Sequence, residues 1–228
     1  MENIQFNILG KSNLQEKSLK EGIKDLSFPE VFPQSFFMLI VGKPGSGKTT
    51  IIEEILLNSA FLNNKFDYVL IFSPYPFSNI DLKKDENFFS TFDLAIVYSI
   101  IDKINNNDKD KYVNMLVVFD DFISEIRKEA TNPKFTRIFY NRRHLIKNGC
   151  ISFIMTSQKF VVTPPQIRPC INVIVLFQLN ASEYSCLKKD VCSWIDMKFI
   201  GNLLKNLYDF IYINIANGNM YLNLKTKI

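Results

Sequence analysis

Residues 36–50 read FFMLIVGKPGSGKTT, and this stretch decides the fold class of the chain. Its first half is an apolar run typical of a buried strand, and its second half is the phosphate-loop motif G-x-x-x-x-G-K-T. The glycines allow several backbone N–H groups to converge on one phosphate. A helix that begins near Gly47 directs its positive dipole end at the same phosphate. The stretch therefore predicts a strand, a phosphate-binding loop and a helix, in that order.

The residues of this loop divide the work of binding a nucleoside triphosphate. Lys48 supplies a point charge for the outer phosphates, and the Thr49 hydroxyl is placed to hold Mg²⁺. The pattern favours ATP with Mg²⁺ as the ligand and leaves open what the hydrolysis drives. The predicted nucleotide-binding set is Gly42, Lys43, Pro44, Gly45, Ser46, Gly47, Lys48, Thr49 and Thr50.

The composition bounds the number of domains and the class of protein. With 228 residues, of which 47% are apolar, the chain can bury the sheet of one α/β domain. Prolines at 29 and 33 separate a mixed N-terminal arm, residues 1–32, from the predicted P-loop ATPase domain, residues 33–228. The net charge of +4 is compatible with nucleic acid as a partner but is not diagnostic of it.

The four cysteines, the first ten residues and the lengths of the apolar runs bear on the cellular compartment. No C-x-x-C pair occurs and there is a single histidine, so free thiols in a reducing compartment are favoured over disulfides or a zinc site. The first ten residues lack the features of a signal peptide, and no apolar run reaches the roughly 18 residues that span a bilayer. The sequence predicts an intracellular, soluble protein without a membrane span.

Continuous apolar runs that alternate with helical patterns predict a mostly parallel sheet with helices on both faces. The runs are residues 68–72, 113–119, 151–156 and 171–177, in addition to the strand before the phosphate loop. A further short strand is predicted at residues 94–98, an exposed polar loop at 102–111, and a helix from near Pro133 to residue 146. The helix after the phosphate loop is expected to keep Glu53 and Glu54 on its wet side.

The C-terminal region carries a hairpin signal. Residues 210–215 and 220–224 are apolar segments that flank Asn217-Gly218, a dipeptide typical of tight β-turns. The hairpin is expected to add an antiparallel edge to the sheet.

Three polar residues at strand ends are candidates for the chemistry of hydrolysis. Residues 113–119 end in Asp120-Asp121, where Asp120 can bind Mg²⁺ directly or through water. Asp121 can orient or deprotonate the attacking water. Gln158 follows the next strand and can reach the water or the γ-phosphate, although a polar residue that only caps the strand is the alternative.

Arginines form a second group of candidates. Arg142 and Arg143 lie in the most basic short stretch, beside His144. They could dock acidic partners or complete a neighbouring subunit's site as an arginine finger, and a solvated helix face is the alternative. Arg168, held between prolines, is a further candidate.

Four segments, in this order, resemble the DNA-packaging ATPases of the FtsK–HerA superfamily, and most of all the branch found in poxviruses, other large DNA viruses and virophages. They are GKPGSGKTT (42–50), VVFDD (117–121), NRRHLIKNGCISFIMTSQ (141–158) and TPPQIRPCINVIVLF (163–177). The resemblance implies a RecA-like core, a pentameric or hexameric homo-oligomeric ring, and ATP-driven movement of double-stranded DNA into a capsid. Capsid proteins are then implied partners, and the host cytoplasm, a viral factory or the virion the implied location.

The resemblance also implies residue roles. Lys48 and Thr49 match phosphate and Mg²⁺ binding, Asp120 the metal acid, Asp121 the catalytic acid and Gln158 the polar sensor. Basic positions around the ring site correspond to Arg142, Arg143 and Arg168, without assigning which of them acts in trans. Many superfamily members carry Asp-Glu where this chain has Asp-Asp, and the shorter acid reaches about one methylene less far.

Other functions remain open from the sequence. A cellular or plasmid DNA translocase of the same superfamily would carry the same motifs. A P-loop small-molecule kinase and a non-catalytic, nucleotide-gated scaffold are the alternatives from other classes. Residues 81–86 and 102–111 are candidate DNA-contacting loops.

Overall fold

The apolar runs of the sequence form the strands of one mixed β-sheet. The computed structural model describes residues 31–57, 62, 65–78, 87–107 and 111–228. The strands in this part are β1 Phe37–Val41, β2 Tyr68–Phe72, β3 Phe88–Phe89, β4 Val113–Phe119, β5 Gly149–Ser157, β6 Val173–Leu176, β7 Ile211–Asn214, β8 Asn219–Leu222 and β9 Thr226–Lys227. The helices are α1 Lys48–Leu57, α2 Leu94–Asn107, α3 Ile123–Glu129, α4 Pro133–Tyr140, α5 Ala181–Asp190 and α6 Met197–Leu203.

The strand order places the phosphate loop in the middle of the sheet. Across the described residues the order is β3-β2-β4-β5-β1-β6-β7-β8-β9. The six strands β1 to β6 are parallel to one another. The strands β7, β8 and β9 each pair antiparallel with their neighbours. The predicted fold class, a RecA-like, mostly parallel sheet with an antiparallel C-terminal hairpin at its edge, is confirmed. The carboxyl ends of β1, β4 and β5 meet at one edge, where ligands of parallel sheets bind.

Every residue of β1 is buried, because helices cover both faces of the sheet. Phe37, Leu39 and Val41 pack into a core that includes side chains of α2 to α6. Met38 and Ile40 point to the other face, into a second core that includes α1. This alternation follows from the two-residue period of a strand. The strand is therefore packed on both faces, and the phosphate loop begins from a rigidly held strand end.

One predicted strand and part of a predicted loop are helical. Residues 94–98 begin α2, and the helix continues through residue 107, so the predictions of a strand at 94–98 and of a loop from residue 102 are wrong. The buried positions repeat at helical spacing, and the polar residues between them face water. Residues 108–110 of that predicted loop, and the whole of the other candidate DNA-contacting loop at 81–86, lie outside the described residues. The buried side chains are Val97, Ile100, Ile101 and Ile104.

Two further expectations need correction, and several elements were not predicted. The helix that begins at Pro133 ends at Tyr140, and turns lead from there to β5. Glu53 is buried, and its carboxylate accepts a hydrogen bond of 3.3 Å from the Ser78 hydroxyl, whereas Glu54 is exposed as expected. A partner from another segment therefore overrides the amphipathic pattern of α1. The helices α3, α5 and α6 and the short strands β3 and β9 were not predicted.

The start of the described chain packs against the C-terminal hairpin. Phe32 and Tyr212 pack edge to face with their ring centroids 5.5 Å apart, and the Tyr212 hydroxyl donates a hydrogen bond to the Val31 carbonyl. Both Val31 and Phe32 are fully buried. The division into an arm, 1–32, and a domain, 33–228, stays a prediction, because residues 1–30 lie outside the described part.

The cysteines and helices bear on the compartment prediction. All four cysteines are free thiols, with Cys150, Cys170 and Cys192 buried and Cys186 half-buried. Burial raises the pKa of the Cys192 thiol to about 12. Within the described ranges, the helices are all too short or too polar to cross a bilayer.

A glycine at the start of β5 gives a test of the sheet register. A Cβ at Gly149 would lie 2.0 Å from the Val113 carbonyl oxygen, so Gly149→Ala should lower the free energy of unfolding by at least ~2 kcal/mol. The measurement is urea denaturation followed by circular dichroism. Gly201→Ala in α6 is the matched control, because its Cβ meets nothing within 4 Å and alanine favours a helix by up to ~1 kcal/mol. Equal stability of the two variants would contradict this register.

Candidate functional site

The phosphate loop is shaped by close packing as well as by turns. It connects β1 to α1, and Gly45 and Gly47 have φ angles of +75° and +95°, which glycine adopts readily. A Cβ at Gly42 would lie 2.5 Å from the Ser46 hydroxyl and 2.8 Å from the Phe177 ring. Only glycine therefore fits at this position without displacing neighbours, and the loop keeps its backbone open toward the carboxyl edge of the sheet.

The residues of the loop and of the first turn of α1 differ in their exposure to solvent. Lys43, Pro44, Gly45, Thr49 and Thr50 are exposed, Gly42 and Ser46 are buried, and Gly47 and Lys48 are half-buried. The α1 helix begins at Lys48, so its first N–H groups face the loop. This arrangement has the donors and the dipole that a phosphate group requires.

Lys48 lies over the loop. Its ammonium donates hydrogen bonds to the Gly42 carbonyl at 2.9 Å and to the Lys43 carbonyl at 3.0 Å. Burial lowers the pKa of this ammonium, whereas the charges of Asp120 and Asp121 raise it. The cation therefore lies within the field of both carboxylates and close to the backbone that would surround a phosphate.

Asp120 is joined to the phosphate loop by a hydroxyl. The Thr49 hydroxyl donates to one carboxylate oxygen at 2.8 Å, and the Thr156 hydroxyl donates to the other at 2.8 Å. Asp120 is only 4% exposed. Burial raises the pKa of its carboxyl, and the hydrogen bonds from Thr156 and Thr49 lower it. The predicted metal residues Thr49 and Asp120 are thus in direct contact.

The donor set fits Mg²⁺ bound together with a nucleotide. A carboxylate and a hydroxyl at one point are hard oxygen ligands, and Mg²⁺ commonly combines one or two such ligands with substrate phosphates and water. In the described ranges no cluster of three or more acidic, His or Cys side chains could hold a metal ion unaided. The phosphates would therefore supply the remaining ligands.

The backbone turns directly after Asp120, at Asp121. Its φ angle of 59° lies in the left-handed region, its backbone N–H donates to the Thr156 hydroxyl at 2.9 Å, and its side chain is exposed. Left-handed backbone at a non-glycine residue is uncommon and is concentrated at functional sites. The turn thus places one aspartate under the loop and presents the other to solvent at the same edge.

Thr156 was missed by the sequence reasoning. It is the residue that links the two aspartates, because its hydroxyl donates to Asp120 and accepts from the Asp121 backbone. The available signal was a hydroxyl side chain at the end of the otherwise apolar β5. That signal alone does not separate a catalytic support from a strand end.

Gln158 is exposed directly after β5. Because β5 lies between β4 and β1, Gln158 lies between the strand that ends at the aspartates and the strand that precedes the phosphate loop. The Gly42 N–H donates to the Ser157 carbonyl at 3.1 Å, so the residue before Gln158 contacts the start of the loop. The structure brings Gln158 to the same edge as Lys48, Thr49 and the two aspartates.

Arg168 fastens the segment after Gln158 to α5. Its guanidinium donates to the carbonyls of Thr163 at 2.9 Å and Val161 at 2.8 Å, and it forms an ion pair with Asp190. It also lies over the Phe160 ring, 5.0 Å from the centroid. The side chain is 11% exposed. These contacts give Arg168 a positioning role within its own chain.

Glu183 holds the same segment from the other side. It is buried in α5, and its carboxylate accepts hydrogen bonds from the backbone N–H groups of Phe160 and Val161. The sequence reasoning did not single it out, because its partners follow Gln158 and are distant in the chain. Together with Arg168 it fixes the backbone that leads away from the site.

Arg142 and Arg143 lie at the opposite edge of the sheet. The Arg142 carbonyl accepts from the Ile151 N–H near the start of β5, whereas the phosphate loop contacts Ser157 at its end. At about 3.3 Å per residue, this part of β5 spans roughly 20 Å. Arg142 is buried and donates to the Phe139 carbonyl, while Arg143 is exposed. The structure does not bring either arginine to the phosphate loop of its own chain.

Replacing a hydrogen-bonded arginine and replacing an exposed one should affect stability differently. Arg168→Ala should lower the free energy of unfolding by about 2–3 kcal/mol, because it removes charge-assisted hydrogen bonds to two carbonyls and a carboxylate. Arg143→Ala is the matched control and should change it by less than ~0.5 kcal/mol, since its exposed guanidinium forms no hydrogen bond or ion pair with the described residues. Denaturant titration measures both, and a large loss in Arg143→Ala would reverse the assignment.

Solved structures with a similar fold include the genome-packaging NTPase B204 of Sulfolobus turreted icosahedral virus 2, in complex with ATP-gammaS. It shares 16% identity and a TM-score of 0.59 with this chain, and the likeness covers 84% of this chain and 97% of that one. The same protein with AMPPCP shares 14% identity and a TM-score of 0.59, with coverage of 84% and 98%.

B204 from Sulfolobus turreted icosahedral virus, described as a DNA-packaging ATPase, is a third similar structure. It has 16% identity and a TM-score of 0.56, with coverage of 83% and 98%. These likenesses establish a shared fold and agree with the predicted resemblance to packaging ATPases. Among curated protein sequences, none is significantly similar to this chain.

A family match covers the parts of the chain that build the site. The family described as novel STAND NTPase 3 matches residues 30–168, which is more than half of the chain. This range contains the phosphate loop, both aspartates and Gln158. The predicted enzyme class, a P-loop NTPase, is therefore confirmed. The chain belongs to the novel STAND NTPase 3 family.

Proposed function

We propose that this protein is an ATP-driven translocase that packages double-stranded viral DNA into a capsid as a ring-shaped homo-oligomer. The observation that carries the proposal is the joined site at the carboxyl edge, where Thr49 contacts Asp120 while Asp121 is exposed beside them. A site that only bound nucleotide would have no use for a second, exposed carboxylate. The fold shared with B204, a genome-packaging NTPase, supports DNA as the substrate.

The residues of this chain suggest how hydrolysis would proceed. Lys48 would exchange its two carbonyl partners for phosphate oxygens, because its ammonium already lies over the loop. Thr49 and Asp120 would hold Mg²⁺, which neutralises charge on the outer phosphates when bound. Asp121 would take a proton from the attacking water. At the same time the water oxygen would bond to the γ-phosphorus, and the bond between that phosphorus and the ADP oxygen would break. Gln158 would orient that water.

A neighbouring subunit would complete the site in a ring. Of the three candidate arginines, Arg168 is engaged within its own chain and Arg142 is buried. Arg143 is exposed and lies roughly 20 Å from the phosphate loop of its own chain, so it is placed to reach another chain rather than the site of its own. We therefore favour Arg143 as the trans-acting finger, with pentamer and hexamer both compatible.

Duplex DNA should raise the ATPase rate of the assembled ring. A motor that grips DNA phosphates releases counterions, so DNA affinity should fall steeply with salt. The measurement is phosphate release with and without duplex DNA at several salt concentrations, with ring size checked by light scattering. Lys48→Ala protein serves as the control for contaminating ATPase.

The outcomes separate the alternatives. An assembled ring whose rate ignores duplex DNA would contradict the proposal and favour a nucleotide-gated scaffold. Phosphate transfer to a small-molecule acceptor would indicate a kinase. Stimulation by DNA without binding to capsid protein would favour a cellular or plasmid translocase of the same kind.

A further inference from the structure

An exposed aromatic residue lies against the phosphate loop without a role so far. Tyr208 is in the segment between α6 and β7, and its Cδ1 is 3.6 Å from where a Cβ on Gly47 would be. Because β7 is antiparallel to β6 and Ile211 pairs with Leu176, this segment lies at the carboxyl edge of the sheet. Tyr208 therefore lies at the same edge as the nucleotide site, on the β6 side of β1.

The turn that carries Tyr208 is held in place by its neighbours. The Asp209 carboxylate accepts hydrogen bonds from the Asn206 backbone N–H and side-chain amide, both at 2.9 Å, and from the Asn223 amide at 3.1 Å. The Asn223 side chain in turn accepts from the Phe210 N–H at 2.8 Å. Asn223 has a φ angle of 53°, which asparagine tolerates better than most residues. The position of Tyr208 is thus preorganised rather than left to a free loop.

The Tyr208 ring is not needed to fill the core beside the phosphate loop. Tyr208 is 67% exposed, whereas Phe177, its aromatic neighbour at Gly47, is buried. Phe177 contacts the loop glycines and packs with Phe210 at a centroid distance of 5.7 Å, so a buried ring already contacts the loop. Tyr208 instead offers an open aromatic face beside the phosphate loop.

We propose that Tyr208 is the stacking platform for the base of the bound nucleotide. A nucleotide whose phosphates lie in the loop must extend its sugar and base out of it, and an open aromatic face is the usual support for a base. The inference rests on the nucleoside triphosphate substrate of the proposed function and adds the residue that holds its base. Since every base has a π face, stacking gives affinity without strong preference among bases.

The test compares a probe with a base and a probe without one. Dissociation constants are measured by calorimetry, with Mg²⁺ and without DNA, for ATP-gammaS, its guanosine counterpart and inorganic tripolyphosphate. The variants are Tyr208→Ala and Tyr208→Phe. Tyr75→Ala is the matched control, because Tyr75 is 72% exposed at the same edge of the sheet but follows β2, beyond β4 and β5.

Tyr208→Ala should weaken both nucleotide analogues roughly 5- to 150-fold while tripolyphosphate changes by less than about twofold. Tyr208→Phe and Tyr75→Ala should bind as the parent does. Equal losses for nucleotide and tripolyphosphate would overturn the proposal, because Tyr208 would then only shape the loop. Unchanged affinity for all probes, with or without weaker subunit association, would also overturn it. Because DNA is absent, a failure of the packaging proposal would leave this result intact.

Discussion

Lys48→Ala should reduce ATP hydrolysis by at least ~100-fold, because it removes the ammonium that hydrogen-bonds across the phosphate loop. Developing charge on the transferred phosphate would then lack its nearest counter-charge. Phosphate release at saturating ATP measures the effect. Lys188→Ala, an exposed lysine in α5, is the control and should leave the rate within about twofold.

The stability of the variant separates chemistry from folding. The two hydrogen bonds of Lys48 end on loop carbonyls that are partly open to water, so the denaturation midpoint should change little. A Lys48→Ala protein that hydrolyses ATP within about fivefold of the parent would contradict the assigned role.

The same variant can report on the neighbouring subunit. If Arg143 acts in trans, a ring that mixes Lys48→Ala and Arg143→Ala subunits will contain some sites with an intact Lys48 and an intact neighbouring Arg143. Mixtures should then hydrolyse more ATP than either variant alone. Absence of recovery at every mixing ratio, in rings of confirmed size, would count against Arg143 as the finger.

Asp121→Asn should leave nucleotide binding intact and lower turnover by roughly 10²- to 10⁴-fold, the range of a lost general base. Asparagine has nearly the same shape and tolerates the left-handed backbone, where φ is 59°. The backbone N–H can still donate to the Thr156 hydroxyl. The substitution therefore removes the proton acceptor and leaves the turn in place.

The measurement combines calorimetry with ATP-gammaS and phosphate release with ATP. Asp102→Asn, an exposed aspartate on α2, is the control and should match the parent in both. Asp120→Asn provides the contrast: it should weaken nucleotide binding in the presence of Mg²⁺, because Asp120 is the carboxylate that contacts Thr49. Unchanged turnover in Asp121→Asn would remove it from the catalytic role.

Local sequence was sufficient for the central parts of the site. The strand, loop and helix at residues 36–50 form as predicted because the motif encodes a local backbone path. The mostly apolar runs at 68–72 and 113–119 coincide with β2 and β4, since a strand covered on both faces needs a mostly apolar sequence. Asn217-Gly218 also lies in the turn that joins β7 and β8.

Predictions from a few neighbouring residues were wrong where a longer helical periodicity or a distant contact determined the structure. Five residues at 94–98 are apolar enough for a strand, but the buried positions of α2 continue at helical spacing to Ile104. Glu53 looked exposed from periodicity within α1, yet Ser78 follows β2 and contacts its carboxylate. Neither outcome could be read from the neighbouring residues.

The arginines show the same limit at the candidate site. Sequence alone could mark Arg142, Arg143 and Arg168 as basic but could not rank them. Burial separates Arg142 from Arg143 although they are adjacent, and the ion pair to Asp190 removes Arg168 from the exposed set. Such ranking depends on which carbonyls and carboxylates the fold brings within reach.

The sequence by itself determined the phosphate loop, the paired aspartates and the parallel sheet that carries them, because loop chemistry and strand burial are encoded by residues close together in the chain. The tertiary structure alone decided which hydroxyl joins the aspartates, which arginine is free to reach another chain, and which aromatic ring lies beside Gly47. These contacts join segments far apart in sequence, and their energies depend on packing across the sheet rather than on local propensity.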